Sequence, residues 1–177
     1  MRDHSVPEEL DEAFRLVGKF LYHFANLEHA IDNAVGKLLG LEEGVVSIVA
    51  ANVPAAKKVD LLFSAENFLG AKPDKGRQTL ISKTKNEIMK LNEKRVIAAH
   101  SQFDSAGGGG VQFRRVVAKK ELKVTTEHWS VADVEGLCQS CIAQSEAVTK
   151  LADEMEPYKP SLDFSDPRNS GLMTIFF

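Results

Sequence analysis

Arg95 and His100 are the two residues whose types and spacing best suit chemistry on a phosphate ester. Histidine gives and takes protons near neutral pH, and arginine stays charged and binds two phosphate oxygens at once. Asn92 lies three residues before Arg95, and Lys94 adds a second cation beside it. These residue types favour proton transfer supported by positive charge, and they require no metal ion.

The spacing of Arg95 and His100 sets a geometric condition on that chemistry. Five residues at about 100° each place the two side chains some 140° apart on a regular helix. They can act together only if the helix ends or distorts near His100, or if two subunits each contribute to one cleft. The alternative role for His100 is a cation at a helix C-terminus, which the helix dipole stabilises.

A long amphipathic helix is predicted from Glu8 to about Gly40, because apolar residues recur at steps of three and four. Continuing the rhythm from Phe24 gives Glu28, and a carboxylate on a buried face needs a cation or water. Arg95 interrupts the apolar face of a later helix in the same way, so we predict a Glu28–Arg95 contact. The alternative places Glu28 at the edge of the stripe, in solvent. The predicted stripe is Leu10, Phe14, Val17, Leu21, Phe24, Ile31, Val35 and Leu38.

Three more helical regions follow from the pattern of apolar residues and helix-end signals. One covers residues 43–69 and is divided by Pro54. Another begins at Pro73, ends near His100, and carries Ile81, Thr84, Ile88, Leu91, Arg95 and Ala98 on one face. The last begins after Ser130, which Asp133 complements as an N-terminal capping signal.

A β-hairpin is predicted at about 111–125, after a glycine-rich stretch at 105–110 that we interpret as a flexible loop. The fold class is therefore mainly α: an up-down helical bundle with a β-hairpin inserted before the last long helix. Residues 1–156 form this domain. Residues 157–177 form an extended tail, whose apolar end at 172–177 is expected to dock on the domain or on a partner chain.

The positive charge is concentrated in one part of the chain. The net charge is −3, whereas residues 83–123 alone carry +6, so the remainder carries −9. Such asymmetry indicates a surface for an anionic partner, or else a solvated helix face and a hairpin edge protected by lysines. The candidate RNA-binding residues are Lys94, Arg114, Arg115, Lys119 and Lys120.

Cysteine content and hydropathy favour a cytoplasmic protein. Two cysteines are too few for a disulfide framework, no apolar run reaches the roughly 20 residues of a membrane span, and the N-terminus predicts no signal peptide. Cys138 and Cys141 are interpreted as buried residues on one helix face, because no second pair completes a zinc site. No metal and no cofactor is predicted.

Asn92-x-x-Arg95-x-x-x-x-His100 resembles the R-x4-6-H motif of HEPN domains, and the first helix around Phe24 to Glu28 is similar to the opening helix of that family. The resemblance covers roughly residues 8–155 and suggests a bacterial-type member. It implies a metal-independent RNA endonuclease with a composite site on the axis of a homodimer. His100 would do the acid–base work, Arg95 would bind phosphate, Asn92 and Glu28 would support them, and the product would be a 2′,3′-cyclic phosphate. A toxin–antitoxin or defence role, with an antitoxin partner, goes with the family.

Two positions depart from the pattern of active HEPN members. Val96 follows the arginine where a polar residue is frequent, and Gln102 stands where many toxin members have tyrosine. The alternative is a non-catalytic HEPN-like dimer that binds RNA, a nucleotide or a protein partner. A third interpretation is a helical interaction protein without relation to that family.

Overall fold

Residues 8–69, 75–107, 109–118 and 122–155 are described by the computed structural model. Their order confirms the predicted class, a helical bundle with strands inserted before the last helix. The predicted tail at 157–177 lies outside the described residues, as do Lys119 and Lys120. The elements are α1 (Glu8–Leu39), α2 (Glu43–Ala51), α3 (Ala55–Leu69), α4 (Lys75–His100), β1 (Gln102–Ser105), β2 (Val111–Ala118), β3 (Leu122–Trp129) and α5 (Val131–Asp153).

Helix α1 runs through the centre of the bundle and packs most extensively against α5 and α3. Its buried face differs from the predicted stripe, because Phe14 is 49% exposed whereas Leu27 is fully buried. The buried row steps from Phe24 to Leu27 and then to Ile31, a three-four rhythm that leaves Glu28 beside the row. The full buried set of α1 is Ala13, Leu16, Val17, Phe20, Phe24, Leu27, Ile31, Ala34, Val35, Gly36 and Leu38.

The chain turns after α1 into the short helix α2. Gly40 ends α1 with φ 63°, a left-handed conformation that favours glycine. Helix α2 lies against Gly36, where an added Cβ would stand 2.4 Å from Cγ2 of Val46. No residue of α2 is buried, and Ile48 is 71% exposed. The predicted division at Pro54 is confirmed, because α3 begins immediately after it.

Helix α4 buries the predicted face against the bundle. Five of the six residues predicted for that face are buried, whereas Arg95 is only half-buried. Burial of such aliphatic side chains stabilises the fold by about 1.5–3 kcal/mol each. The buried residues of α4 are Ile81, Thr84, Ile88, Leu91 and Ala98.

The inserted β-structure is a three-stranded antiparallel sheet in the order β1-β2-β3. The predicted hairpin is confirmed, but β3 continues to Trp129 and a third strand, β1, precedes the hairpin. Gln102 of β1 pairs with Arg114 of β2, which pairs with Thr126 of β3. These three residues are exposed, whereas their neighbours on the opposite face pack on the bundle.

The glycine-rich stretch predicted as a flexible loop is, in its described part, a hydrogen-bonded turn between β1 and β2. The amide of Ala106 donates to Gly110 at 3.3 Å, and the amide of Gly109 donates to Ala106 at 3.0 Å. Gly110 has φ 112°, and an added Cβ would lie 2.4 Å from the carbonyl oxygen of Trp129. The turn therefore requires glycine because the backbone of the neighbouring strand lies so close.

Helix α5 begins where the sequence predicted. The side chain of Ser130 accepts a hydrogen bond from the amide of Asp133, and the Asp133 carboxylate accepts one from the amide of Ser130. This reciprocal cap satisfies two free N–H groups at the helix start. The sheet and α1 meet just before it, where the Trp129 ring contacts Phe113 and Phe20 at centroid distances of 4.4 and 5.6 Å.

Candidate functional site

The C-terminal end of α4 carries the predicted catalytic residues. Asn92 and Arg95 are half-buried and His100 is exposed. The helix stays regular to its end, because the amide of Ser101 donates to the carbonyl of Ile97 at 3.0 Å. No distortion brings His100 towards Arg95, so within one chain they remain on different faces, about 140° apart.

The prediction that Glu28 contacts Arg95 is wrong, because Glu28 pairs with a different cation. Glu28 lies 2.9 Å from the ammonium of Lys58, which also lies 2.9 Å from Asp32. Lys58 is only 7% exposed, and burial tends to lower its pKa, yet hydrogen bonds to the two carboxylates raise it overall. Glu28 does meet a cation inside the protein, as one sequence alternative required, but the cation comes from α3. It therefore neither orients nor neutralises Arg95.

Among the residues that the structure describes, Arg95 is therefore left without a carboxylate partner. Its side chain makes no ion pair or hydrogen bond with any of the residues that the structure describes. A half-buried guanidinium without a carboxylate partner keeps all five N–H donors available to water or a ligand. Asn92 lies about 60° from Arg95 around the helix and is half-buried on the same side.

Lys94, by contrast, is held by the sheet. Its ammonium pairs with Glu127 of β3 and lies 5.7 Å from the centre of the Trp129 ring. Burial raises the pKa of Glu127, but hydrogen bonds from Lys94 and Trp129 outweigh it and leave that pKa below its usual value. The indole N–H of Trp129 donates to Glu127 at 2.7 Å. Lys94 thus fixes α4 to β3, which reduces its availability to phosphate.

The two arginines of the hairpin are exposed and point to opposite faces of the sheet. Arg114 lies between Gln102 and Thr126 on the outer face. Arg115 pairs with Thr125, beyond the last residue of β2 that β1 reaches. Neither makes an ion pair with another residue in the described ranges.

A cleft of about 580 Å³ opens directly after His100. Its lining includes Arg114 and Ser101. The hydroxyl oxygen of Ser101 is itself buried and has no hydrogen-bond partner in the described part of the chain. One wall is aromatic, because Phe14 packs edge-on against Phe103 at 5.4 Å. The lining consists of Phe14, Ser101, Gln102, Phe103, Asp104, Gln112, Arg114 and Thr126.

This cleft is not evident from the sequence. Arg114 was predicted to bind RNA, but Phe14 was assigned to the core. Strand β1, which carries Gln102 and Asp104 directly after Ser101, was not predicted. Its exposed and half-buried residues alternate, as they do in a half-buried strand, but four residues are too few for this pattern to be recognised in the sequence. Apolar walls with a few converging polar groups are typical of ligand sites.

Cys138 and Cys141 are both buried thiols, as predicted. Burial raises the pKa of Cys138, and it raises that of Cys141 to about 12. Both therefore stay protonated at neutral pH and act as small core residues. The described residues contain no group of three or more histidine, cysteine or acidic side chains suited to a metal ion.

Comparison of this chain with protein-family models, with curated proteins and with solved structures found no match in any of the three. Within the described ranges, no helix is both long enough and apolar enough to cross a membrane.

Proposed function

We propose that this protein is a metal-independent ribonuclease that acts as a homodimer. The observation that supports the proposal most directly is that Arg95 has no ion-pair partner among the described residues. Because Glu28 is bound to Lys58, the guanidinium of Arg95 has no carboxylate partner in the described residues and can bind a phosphate. His100 is exposed at the end of the same helix and supplies the proton-transfer group.

The proposed reaction uses the 2′-hydroxyl of RNA as the nucleophile. The 2′-oxygen attacks the adjacent phosphorus and loses its proton to a base. The 5′-oxygen of the next nucleotide leaves and takes its proton from the imidazolium of His100 that formed in the first transfer. One His100 accepts the first proton, and Arg95 stabilises the charge on the phosphate oxygens. The products are a 2′,3′-cyclic phosphate and a free 5′-hydroxyl, as the HEPN resemblance implies.

Two chains are required because one chain does not bring the two groups together. The regular end of α4 keeps Arg95 and His100 on different faces. A two-fold axis near this end would form one composite cleft in which Arg95 of each protomer lies beside His100 of its partner, so the cleft would hold two such pairs. Asn92, on the Arg95 side of the helix, would assist in binding the phosphate.

Binding of RNA without cleavage is the second candidate. It is favoured by the cleft beside Arg114 and by Val96, which provides no polar group next to Arg95. In this alternative the dimer holds RNA, and His100 serves only as a cation at the helix end. A cytoplasmic location, a protein antitoxin and a role in defence remain predictions from the sequence.

Cleavage of mixed cellular RNA in the presence of EDTA tests the primary proposal. We expect wild-type protein to cut RNA, and His100→Ala and Arg95→Ala to lose most activity while keeping fold and dimer. Matched controls are His29→Ala, an exposed histidine of α1, and Arg15→Ala, a surface arginine paired with Glu12. Wild-type protein that does not cut between about pH 6 and 9 would leave binding as the better proposal.

Mixing the two inactive variants tests the composite site. A heterodimer of His100→Ala and Arg95→Ala chains holds one of the two Arg95–His100 pairs intact, if each pair combines residues of two protomers. Random exchange would then restore roughly a quarter of wild-type activity. Restoration is not expected if both groups act from the same chain, so its absence after confirmed exchange would contradict this arrangement.

A further inference from the structure

The cleft beside His100 combines an aromatic wall with polar groups on the outer face of the sheet. Phe14 is 49% exposed, so about half of this aromatic side chain is open to solvent at the cleft. Its ring is held in place from behind, because Phe103 contacts it edge-on and contacts Phe113 in turn at 5.9 Å. A supported and solvent-exposed ring is a platform on which a nucleobase can stack.

The second observation concerns the unsatisfied hydroxyl of Ser101. Its oxygen is buried and finds no hydrogen-bond partner among the residues that the structure describes. A buried hydroxyl without a partner is costly, and a ligand group that binds it removes that cost. Ser101 belongs to the cleft lining, so this unsatisfied hydroxyl lies just behind the surface that a ligand would cover.

The cleft has two groups of opposite charge, Arg114 and Asp104, at different positions in its lining. Arg114 lies in the cross-strand row of Gln102, whereas Asp104 lies in the neighbouring row, opposite Gln112. Arg114 makes no ion pair in the described ranges and suits a phosphate. One oxygen of Asp104 already accepts a hydrogen bond from the amide of Ser105 at 2.8 Å. The carboxylate still has free lone pairs, and these suit a ribose hydroxyl or the N–H of a base.

We propose that this cleft binds one unpaired ribonucleotide, with its base against Phe14 and its phosphate at Arg114. The volume of about 580 Å³ is in the range of small-molecule sites, and the cleft begins one residue after His100. The choice of an RNA nucleotide rests on the proposed function. The cleft would then hold a single-stranded segment of the substrate next to the residue proposed to transfer the proton.

Calorimetric titration of the full-length wild-type chain with adenosine 5′-monophosphate tests the site, since this probe has no phosphodiester bond to be cut. We expect roughly tenfold weaker binding for Phe14→Ala, as for the loss of one stacking contact, and a comparable loss for Arg114→Gln. Tyr22→Ala removes an exposed aromatic ring of the same helix outside the cleft lining. Arg15→Gln removes an exposed arginine of α1 that pairs with Glu12 and does not line the cleft. Both controls should bind within about twofold of wild type.

Adenosine without phosphate separates the two contacts. Arg114→Gln should weaken binding of the monophosphate but leave adenosine unchanged, whereas Phe14→Ala should weaken both. Phe14→Leu keeps apolar bulk without an aromatic face, so it reports on stacking even if the alanine variant folds poorly. Equal losses for Phe14→Ala and Tyr22→Ala, or no binding at millimolar nucleotide, would overturn the inference.

The outcome for the cleft is distinct from the outcome for catalysis. RNA cleavage that depends on His100, together with no nucleotide binding in the cleft, contradicts this inference and leaves the ribonuclease proposal intact. Nucleotide binding that depends on Phe14 and Arg114, together with no cleavage, supports the inference and contradicts the ribonuclease proposal.

Discussion

Glu28 of α1 and Lys58 of α3 form an ion pair at 2.9 Å that joins two helices inside the bundle. Asp32, one helical turn after Glu28, lies at the same distance from the same ammonium. The ammonium is nearly buried, whereas the carboxylates are partly exposed, with side-chain exposures of 25% and 17%. Water thus reaches the acidic side of the cluster, and the lysine is the member that depends on its partners.

Replacing Lys58 should therefore destabilise the fold. In Lys58→Met, two carboxylates on one helix face lose their shared cation and repel each other, and we expect a loss of about 2 kcal/mol. Urea unfolding measures the loss. The control is Lys57→Met, which removes the adjacent exposed lysine and its 3.6 Å surface contact with Asp60, and it should change stability by less than about 0.5 kcal/mol. Equal effects of the two variants would contradict the structural role of the cluster.

The same cluster predicts a dependence of stability on alkaline pH. Burial alone would lower the pKa of Lys58, but its hydrogen bonds to Glu28 and Asp32 raise it above the ordinary value of 10.5. The stabilisation is complete below that unfolded-state value and is lost as pH rises through the folded-state pKa. The stability difference between wild type and Lys58→Met should stay constant near neutral pH and shrink above about pH 10.5. A difference that instead shrinks near neutral pH would be inconsistent with a raised pKa.

Gly36 and Gly18 of α1 make a matched pair of substitution sites. A Cβ on Gly36 would stand 2.4 Å from Cγ2 of Val46, whereas a Cβ on Gly18 meets nothing within 4 Å. Gly36→Ala must displace the Val46 side chain or the helix that carries it, and should cost about 1–3 kcal/mol. Gly18→Ala only improves helix propensity and should stabilise by up to about 1 kcal/mol. Thermal unfolding distinguishes the two signs, and a stabilising Gly36→Ala would mean that α2 does not pack closely on α1.

The position of Glu28 shows how far periodicity determines a helix face. The sequence predicted α1, its approximate ends and a cation for Glu28. After Phe24, however, the periodicity allows a step of four residues to Glu28 or a step of three to Leu27. The helix buries Leu27. The predicted partner of Glu28 was wrong because Arg95 on α4 and Lys58 on α3 are both cations, and either could pair with a carboxylate. Only the packing of helices decides between them, and a single sequence does not encode that packing in a readable local signal.

The cleft was missed for a different reason. Its strand β1 has four residues, and its pairing with β2 crosses a glycine-rich turn. Strand pairing depends on such non-local contacts more than on local propensity. Phe14 was assigned to the core by its spacing alone, and its exposure became visible only with the packing of β1 against α1. Arg114 was found because charge is visible in sequence.

We expect the fold to lose stability in acid as the Glu127 carboxylate becomes protonated. Burial raises its pKa, but the hydrogen bonds and charge around it lower the pKa below the ordinary value of 4.5. The stabilisation is present above that value and is lost as pH falls through the folded-state pKa. Wild type should therefore exceed Glu127→Gln in stability near neutral pH, and the difference should vanish in acid.

Fluorescence of Trp129, the one tryptophan of the chain, measures this difference, because its indole donates to Glu127. Denaturant unfolding between about pH 3 and 7 covers the relevant range. Glu87→Gln is the control, since Glu87 pairs with Lys90 on the surface of α4 and such pairs contribute little. A wild-type advantage that persists in strong acid would show that the Glu127 charge is not its source.

Salt dependence of RNA binding tests the charge asymmetry of the chain. Each cation that contacts a phosphate releases counterions, so its removal lowers the slope of log affinity against log salt by about 0.7 for single strands. We expect such a reduction for Arg114→Ala and for Arg115→Ala with a uridine oligomer long enough to follow the hairpin. Arg115→Ala should retain binding of a mononucleotide, because Arg115 lies on the other face. Arg15→Ala, whose side chain is exposed and paired with Glu12, should leave the slope unchanged. If all three variants had the slope of wild type, the two hairpin arginines would not contact RNA phosphates, and the positive charge of residues 83–123 would serve solubility instead.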